Sequence, residues 1–158
     1  LLMCIFALSL FTAVGFRQRP AYKQNDGVIE RVRTLKEDAA YLDGVLDAAE
    51  EETYLWIGFN GYNPYAFTKH LPSGPCFAQD PYNFREEDGF FADSFKKQLS
   101  GVNVIVFCRL DVGVITQETE AYIRENFTVT VPESVAKARL TAPETFVWKL
   151  YFRTDAFF

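Results

Sequence analysis

The sequence has few of the residues that usually build catalytic and metal sites. It contains one histidine, one methionine and three cysteines among 158 residues. The histidine, His70, lies in a loop flanked by proline and glycine, with no carboxylate beside it in the sequence, which is typical of a solvated side chain rather than a catalyst or ligand. Metalloprotease, disulfide-exchange, serine-hydrolase and phosphate-loop motifs are absent. We therefore expect no enzymatic activity, no metal and no cofactor.

A basic cluster is also missing. Lys and Arg total 16 against 21 Asp and Glu, which gives a net charge of −5. Nucleic-acid binding needs concentrated positive charge, so we do not expect nucleic acid as a partner. Aromatic residues, in contrast, are abundant, with 16 Phe, 8 Tyr and 2 Trp. That composition is typical of a β-rich domain or of a cavity for an aromatic or amphiphilic ligand.

Charge is absent from the first fifteen residues. The apolar run ends in Thr12-Ala13-Val14-Gly15, which places small residues three and one positions before a cut ahead of Phe16. This pattern is typical of a secretory signal peptide, and the run is shorter than the ~20 residues that span a bilayer. We predict a signal peptide at residues 1–15, one domain at residues 16–158, an extracellular location and no stable membrane association. Without an initiator Met or a basic segment, the chain is expected to begin partway through its signal.

Secretion permits disulfide bonds and glycans. Cys4 would leave with the signal peptide, whereas Cys76 and Cys108 remain, to pair with each other or with partners outside the chain. Asn126 opens the only Asn-x-Ser/Thr sequence of the chain and is the candidate glycosylation site.

One segment has a clear helical period. Apolar residues recur at steps of three and four from Val28 to Ala49, as expected for one apolar stripe on a helix. Gly44, inside this segment, predicts a break that gives two shorter helices.

The remaining chain favours strands, because aromatic and β-branched residues dominate its apolar runs. The predicted strands are Tyr54–Phe59, Cys76–Ala78, Gly89–Leu99, Val102–Leu110, Asn126–Val131, Lys137–Leu140 and Thr145–Phe152. The pattern therefore indicates one helix or a helix pair followed by antiparallel strands.

Two segments resemble the tick salivary lipocalins, a family that includes histamine binders. The first, from Tyr41 to Pro64 (YLDGVLDAAEEETYLWIGFNGYNP), gives a helix end, an acidic bridge, a strand that opens on Tyr54-Leu55 and an Asn-Pro turn, with Cys76 soon after. The second, Phe146–Asp155 (FVWKLYFRTD), resembles the aromatic strand and turn late in the lipocalin barrel.

The resemblance implies a mainly-β fold, in which a short helix precedes an antiparallel up-and-down barrel that holds one small ligand. It also implies that the family's last strands, C-terminal helix and remaining cysteines would follow Asp155. Cys76 would then pair within that later segment, and Cys108 matches no cysteine of the family.

The histamine binders hold an amine between interior carboxylates and aromatic rings. Here the matching positions carry Asn60 and Asn63, which give an amine no opposing charge. The carboxylates that we predict instead are Asp93, placed between Phe91 and Phe95 on one strand face, and Glu144. The full set of candidate ligand-binding residues is Tyr54, Trp56, Asn60, Asn63, Asp93, Glu144 and Trp148.

These features give the hypothesis of a secreted, monomeric lipocalin that sequesters a small host mediator in its barrel. The mediator would be a biogenic amine such as histamine or serotonin, or a lipid mediator. The alternative is a secreted inhibitor whose loops bind a host protease, complement factor or receptor. The Q-x-V-x-G loop of cystatin-like inhibitors is not present.

Overall fold

A computed structural model describes residues 26–57, 64–73, 89–107 and 115–158. The chain divides into two compact units, Leu1–Arg33 and Thr34–Phe158. The described residues of the first unit, 26–33, form the start of a helix. The predicted signal peptide, the strand predicted around Cys76 and both candidate disulfide cysteines lie outside the described residues.

Five α-helices and five strands occupy the described part of the chain. In order they are α1 (Asp26–Ala48), β1 (Thr53–Ile57), a 3-10 turn (Pro64–Phe67), β2 (Leu71–Pro72), α2 (Gly89–Gly101), β3 (Val104–Phe107), α3 (Gln117–Asn126), β4 (Phe127–Thr128), α4 (Glu133–Lys137), β5 (Lys149–Arg153) and α5 (Thr154–Phe157).

The strands form one open sheet in the order β2-β1-β3-β5-β4. β1 is parallel to both β2 and β3, whereas β5 is antiparallel to both β3 and β4. Parallel neighbours cannot be joined by hairpins and need a crossover, which α2 provides between β1 and β3. The predicted mainly-β, up-and-down lipocalin-like barrel is therefore wrong, because the protein is a mixed α/β protein with an open mixed sheet.

Helices cover both faces of this sheet. One face packs against α1 and α4 through Leu42, Val45, Leu46, Tyr54, Trp56, Val104, Val106, Val135 and Phe152. The other face packs against α2 and α3 through Leu55, Ile57, Phe95, Leu99, Ile105, Phe107, Ile123 and Tyr151. Because successive strand residues point to opposite faces, a strand buried on both sides has no polar positions. This explains the continuous apolar runs of β1 and β3.

The helix predicted from Val28 to Ala49 is confirmed as α1, but the predicted break at Gly44 is wrong, because α1 continues through it. The glycine has a packing role instead. A Cβ atom at this position would lie 3.2 Å from Cδ2 of Leu140, so the missing side chain lets Leu140 approach the helix closely.

Two of the predicted strands are wrong, because one is helical and the other is mostly a turn. Gly89–Leu99 forms most of α2, in which Phe95 is buried and Asp93 is exposed. Residues two apart lie on nearly opposite sides of a helix, so the shared face expected for them does not exist. Lys137–Leu140 begins with the last residue of α4 and continues as a turn. The strand predicted from Thr145 begins only at Lys149.

Candidate functional site

Residues 138–148, here called the covering segment, lie across α1 between α4 and β5. Their contacts on α1 fall at positions 38, 41 and 44, which share one helix face because they are three residues apart. The contacts are Leu140 with Gly44, Phe146 with Tyr41 (ring centroids 4.8 Å apart) and the Thr145 hydroxyl with Asp38 Oδ1 (2.8 Å). The covering segment thus closes one side of the sheet without regular secondary structure of its own.

Between the covering segment, α1 and β5 lies a groove of about 390 Å³, here called the aromatic groove. Its described lining residues are Tyr41, Val129, Val131, Val135, Ala142, Phe146, Trp148, Lys149, Leu150 and Phe152. Among these, Lys149 alone carries a charge. Burial raises the pKa of Tyr41 above its usual value, so its hydroxyl stays neutral at physiological pH.

Two predicted ligand residues meet beneath this groove. The ring centroids of Trp56 and Trp148 lie 4.4 Å apart, and the Trp56 ring also lies 5.6 Å from the Tyr65 ring. Trp148 lines the groove, whereas Trp56 is fully buried in β1. Trp56 therefore supports the groove from the core and does not line it.

Tyr54, another predicted ligand residue, is fully buried in β1 and is not among the described lining residues. Its hydroxyl lies 3.1 Å from Thr68 Oγ1, which is itself 2.9 Å from the Tyr65 carbonyl and 2.8 Å from the His70 carbonyl. Carbonyls only accept, so Thr68 donates to them and Tyr54 donates to Thr68. Burial raises the pKa of Tyr54. Its role in the structure is to hold the 64–73 segment.

The other predicted ligand residues do not gather at one place. Asp93 is exposed on α2, on the opposite side of the sheet from the aromatic groove. Glu144 is exposed on the covering segment and is not among the residues that line the groove. Asn60 and Asn63 lie outside the described residues. Of the five candidates that the structure describes, only Trp148 lines the groove. The aromatic lining from Tyr41 and Phe146 was missed, because the sequence does not reveal that helix α1 and the covering segment meet.

The candidate glycosylation residue Asn126 is the last residue of α3. It is half-buried, and its Nδ2 donates to the Tyr122 carbonyl at 2.9 Å. In the folded chain this amide therefore stabilises the helix end. Its glycosylation stays a prediction.

In the fold one carboxylate, that of Asp47, lies beside the His70 ring, although none neighbours it in the sequence. Nε2 lies 3.0 Å from Asp47 Oδ1, and Nδ1 lies 3.4 Å from the Glu52 carbonyl. Both partners only accept, so both contacts become hydrogen bonds when the imidazole is protonated. Hydrogen bonds from Lys69 and then from His70 hold the pKa of Asp47 below its usual value. Asp43 accepts the Lys69 backbone N–H at 3.0 Å, so this polar cluster fixes the 64–73 segment to α1.

Within the four described ranges, no three His, Cys, Asp or Glu side chains converge on a position where a metal ion would bind. None of the helices in those ranges combines the length and the apolar character needed to cross a membrane.

The chain matches no family model, no curated protein and no solved structure. None of these comparisons supports the resemblance to tick salivary lipocalins, and the barrel that the resemblance implied is not the fold described above. A function must therefore rest on the geometry of the aromatic groove.

Proposed function

We propose that the protein is a binding protein, without catalytic activity, that takes up the apolar part of a small ligand in the aromatic groove. The observation that supports this best is the groove itself, an open groove of about 390 Å³ lined mainly by apolar and aromatic side chains, with one charged residue, Lys149, among the described lining. Ligand pockets typically have volumes of ~300–1,000 Å³ and such a lining, with a few polar groups.

The expected affinity is modest. Burial of apolar surface contributes ~25 cal/mol per Å², so a ligand that buries ~300 Å² gains roughly 7 kcal/mol before the cost of association is subtracted. Even before that cost, the gain corresponds to a dissociation constant of ~10 μM, so the actual constant should be weaker than ~10 μM.

Of the two mediator classes predicted from the sequence, the biogenic amine does not suit the described lining of the groove. An ammonium group in an apolar site needs an opposing carboxylate, and the described lining offers none. Asp38 is fully buried, accepts a hydrogen bond from Thr145 and is not among the described lining residues. Capture inside a barrel is not part of the proposal, because the sheet is open.

The absence of catalysis is supported by the contacts of His70. This residue is the only histidine of the chain, and both of its ring nitrogens lie against protein acceptors. His70 is not among the described residues that line the aromatic groove, so it supplies no acid or base there.

Titration with N-phenyl-1-naphthylamine, a neutral apolar dye that fluoresces in apolar surroundings, tests the proposal. We expect saturable binding to the full chain with a dissociation constant below ~100 μM. Ala142→Phe places a ring in the groove and should weaken binding at least roughly tenfold. Ala121→Phe is the matched control, because Ala121 is exposed on α3, which packs against the other face of the sheet. No saturable binding, or equal weakening by both variants, would contradict the proposal.

We also propose that the chain is exported, on the basis of the apolar run Leu1–Gly15 and its small-residue ending. Expression in secretory cells should give a protein in the medium whose first residue is Phe16. Retention of an uncut chain in the membrane fraction would contradict the proposal of export. It would not affect the proposal that the aromatic groove binds a ligand.

A further inference from the structure

The two sides of β5 are paired very differently. Toward β3, pairing is complete, since four residues from Lys149 to Phe152 have register partners. Toward β4, only Phe152 and Arg153 have partners. Over the first half of β5, the side toward β4 therefore has no strand beside it among the described residues.

Alternation along the strand identifies the backbone groups left open. The Arg153 N–H donates to the Asn103 carbonyl at 2.8 Å, on the β3 side. Successive backbone groups of an antiparallel strand point to alternate sides, so the N–H and C=O of Leu150, like those of Phe152, point away from β3. Phe152 is paired with Thr128 there, whereas Leu150 has no hydrogen-bond partner on that side among the described residues.

The gap has a local cause in the sequence after β4. The register that pairs Thr128 with Phe152 would pair Thr130 with Leu150. The Thr130 N–H instead donates to the Thr128 side-chain hydroxyl at 3.1 Å, which turns the chain away from the sheet. Val129 and Val131 consequently stand apart from β5 as one wall of the aromatic groove, and both are exposed.

We propose that the ligand of the aromatic groove is an extended apolar peptide segment, which lies antiparallel to β5 and pairs with the backbone N–H and C=O of Leu150. This inference rests on the proposed function and names the ligand class. One residue of such a segment supplies both the donor and the acceptor that Leu150 lacks. A neutral ring would leave both groups of Leu150 unpaired, and a fatty acid would leave its carbonyl unpaired.

The side walls suit the side chains of such a segment. In an added strand, alternate side chains point to the two faces of the sheet, and on one face they would meet Trp148 and Phe146 at the groove. The groove is small, about 390 Å³, so the added strand is short, like β4 itself.

The probe is the capped peptide acetyl-Thr-Val-Phe-Val-Thr-amide, which has no charge and has high strand propensity. It should displace the naphthyl dye from the full chain. A series in which each amide in turn is N-methylated should show a period of two. Methylation of the amide that donates to Leu150 weakens binding roughly tenfold or more, and methylation of its neighbours, which point away, is tolerated. Side-chain binding alone does not give this alternation.

Amide hydrogen exchange of the protein gives a second readout. The peptide should slow exchange of the Leu150 amide, while the Tyr151 amide, which already faces β3, serves as the internal control. The dye should not protect the Leu150 amide, because its one polar group is a diarylamine N–H, which donates and is a poor acceptor.

The outcomes separate this inference from the proposed function. If the dye binds but the peptide does not displace it, or all N-methylated peptides bind alike, the peptide inference is overturned and the proposed function remains. If neither the dye nor the peptide binds, both fail. If the Leu150 amide is protected in the free protein and loses protection on dilution, a second copy of the chain occupies the groove and the inference is likewise overturned.

Discussion

Replacement of Gly44 by alanine tests how the covering segment packs against α1. Gly44 lies inside a continuous helix, where alanine is favoured over glycine by ~1 kcal/mol. The new Cβ would lie 3.2 and 3.3 Å from the two Cδ atoms of Leu140, so Leu140 must move by a few tenths of an ångström. Leu140 is 39% exposed and can move outward. We therefore expect Gly44→Ala to stabilise the protein by ~0.5 kcal/mol, or ~1–2 °C in Tm.

Urea denaturation followed by tryptophan fluorescence measures this change, with the midpoint and the slope fitted separately. The Leu140→Ala background provides the control, because it removes the atoms that the new Cβ would meet. There, Gly44→Ala should gain the full ~1 kcal/mol of helix propensity. The coupling energy between the two sites should then be ~0.5 kcal/mol.

Two results would refute this reasoning. If Gly44→Ala destabilises the protein by ~1 kcal/mol or more in both backgrounds, contact with Leu140 does not decide the cost at this position. If the coupling energy is zero, the covering segment does not pack on α1 at Gly44.

Three further predictions concern single side chains. Glu50 has a left-handed backbone conformation (φ 58°) after α1, so Glu50→Gly should stabilise the protein by ~1 kcal/mol. Glu50→Gln keeps the Cβ and should not stabilise it, and equal effects of the two variants in thermal melts would contradict this prediction. The Thr116 hydroxyl accepts the Thr119 N–H at 3.2 Å as the N-cap of α3, and Thr116→Ala should cost ~1 kcal/mol in urea denaturation, while Thr116→Ser should cost less. Because the folded pKa of Asp47 is lowered from 3.8, chiefly by its hydrogen bond from Lys69, its contacts stabilise the fold above that value and this stability is lost as pH falls through the folded pKa. Asp47→Asn should therefore flatten the acid side of the stability curve, and an unchanged curve would show that these contacts contribute nothing.

The parts of the fold that the sequence predicts are those with a period of their own. The apolar stripe of α1 can be recognised without knowledge of its packing partner. β1 overlaps the strand predicted from Tyr54 and begins one residue before it, and β3 lies within the strand predicted from Val102. Helix α1 is buried along one stripe, and β1 and β3 are buried on both faces. In each case the order of apolar residues in the sequence follows directly from the local geometry of the element.

Helix α2 was predicted as a strand because its phenylalanines were weighed by strand propensity. Burial at Phe95, Gln98, Leu99 and Val102 follows steps of three and four, which is the helical period. Helix α3 has comparable signals, with the Thr116 cap and acidic residues in the first turn. Propensity is a weak guide where packing decides, and the period is more informative.

The candidate site was largely unpredictable because it depends on contacts between distant parts of the chain. Trp148 was identified as an aromatic ligand residue, but its partner surface comes from Tyr41 and from β5. The contact of His70 with Asp47 likewise joins a loop to a helix. The direction and register of the strands decide which distant residues meet. A prediction that shifts a strand by one residue, or misplaces one strand, therefore changes every such contact.

The position of β5 has a consequence for how the chain acquires its structure during synthesis. β5 is the last of the five described strands along the chain, yet it lies between β3 and β4. Until Lys149–Arg153 have emerged from the ribosome, β3 has an open inner edge and β4 has no described neighbour to pair with. At a translation rate of ~5–20 residues per second, apolar surface that the finished sheet buries stays accessible to chaperones and to other nascent chains for several seconds. Completion of the sheet is therefore a late event, and it depends on five residues in the middle of the sheet.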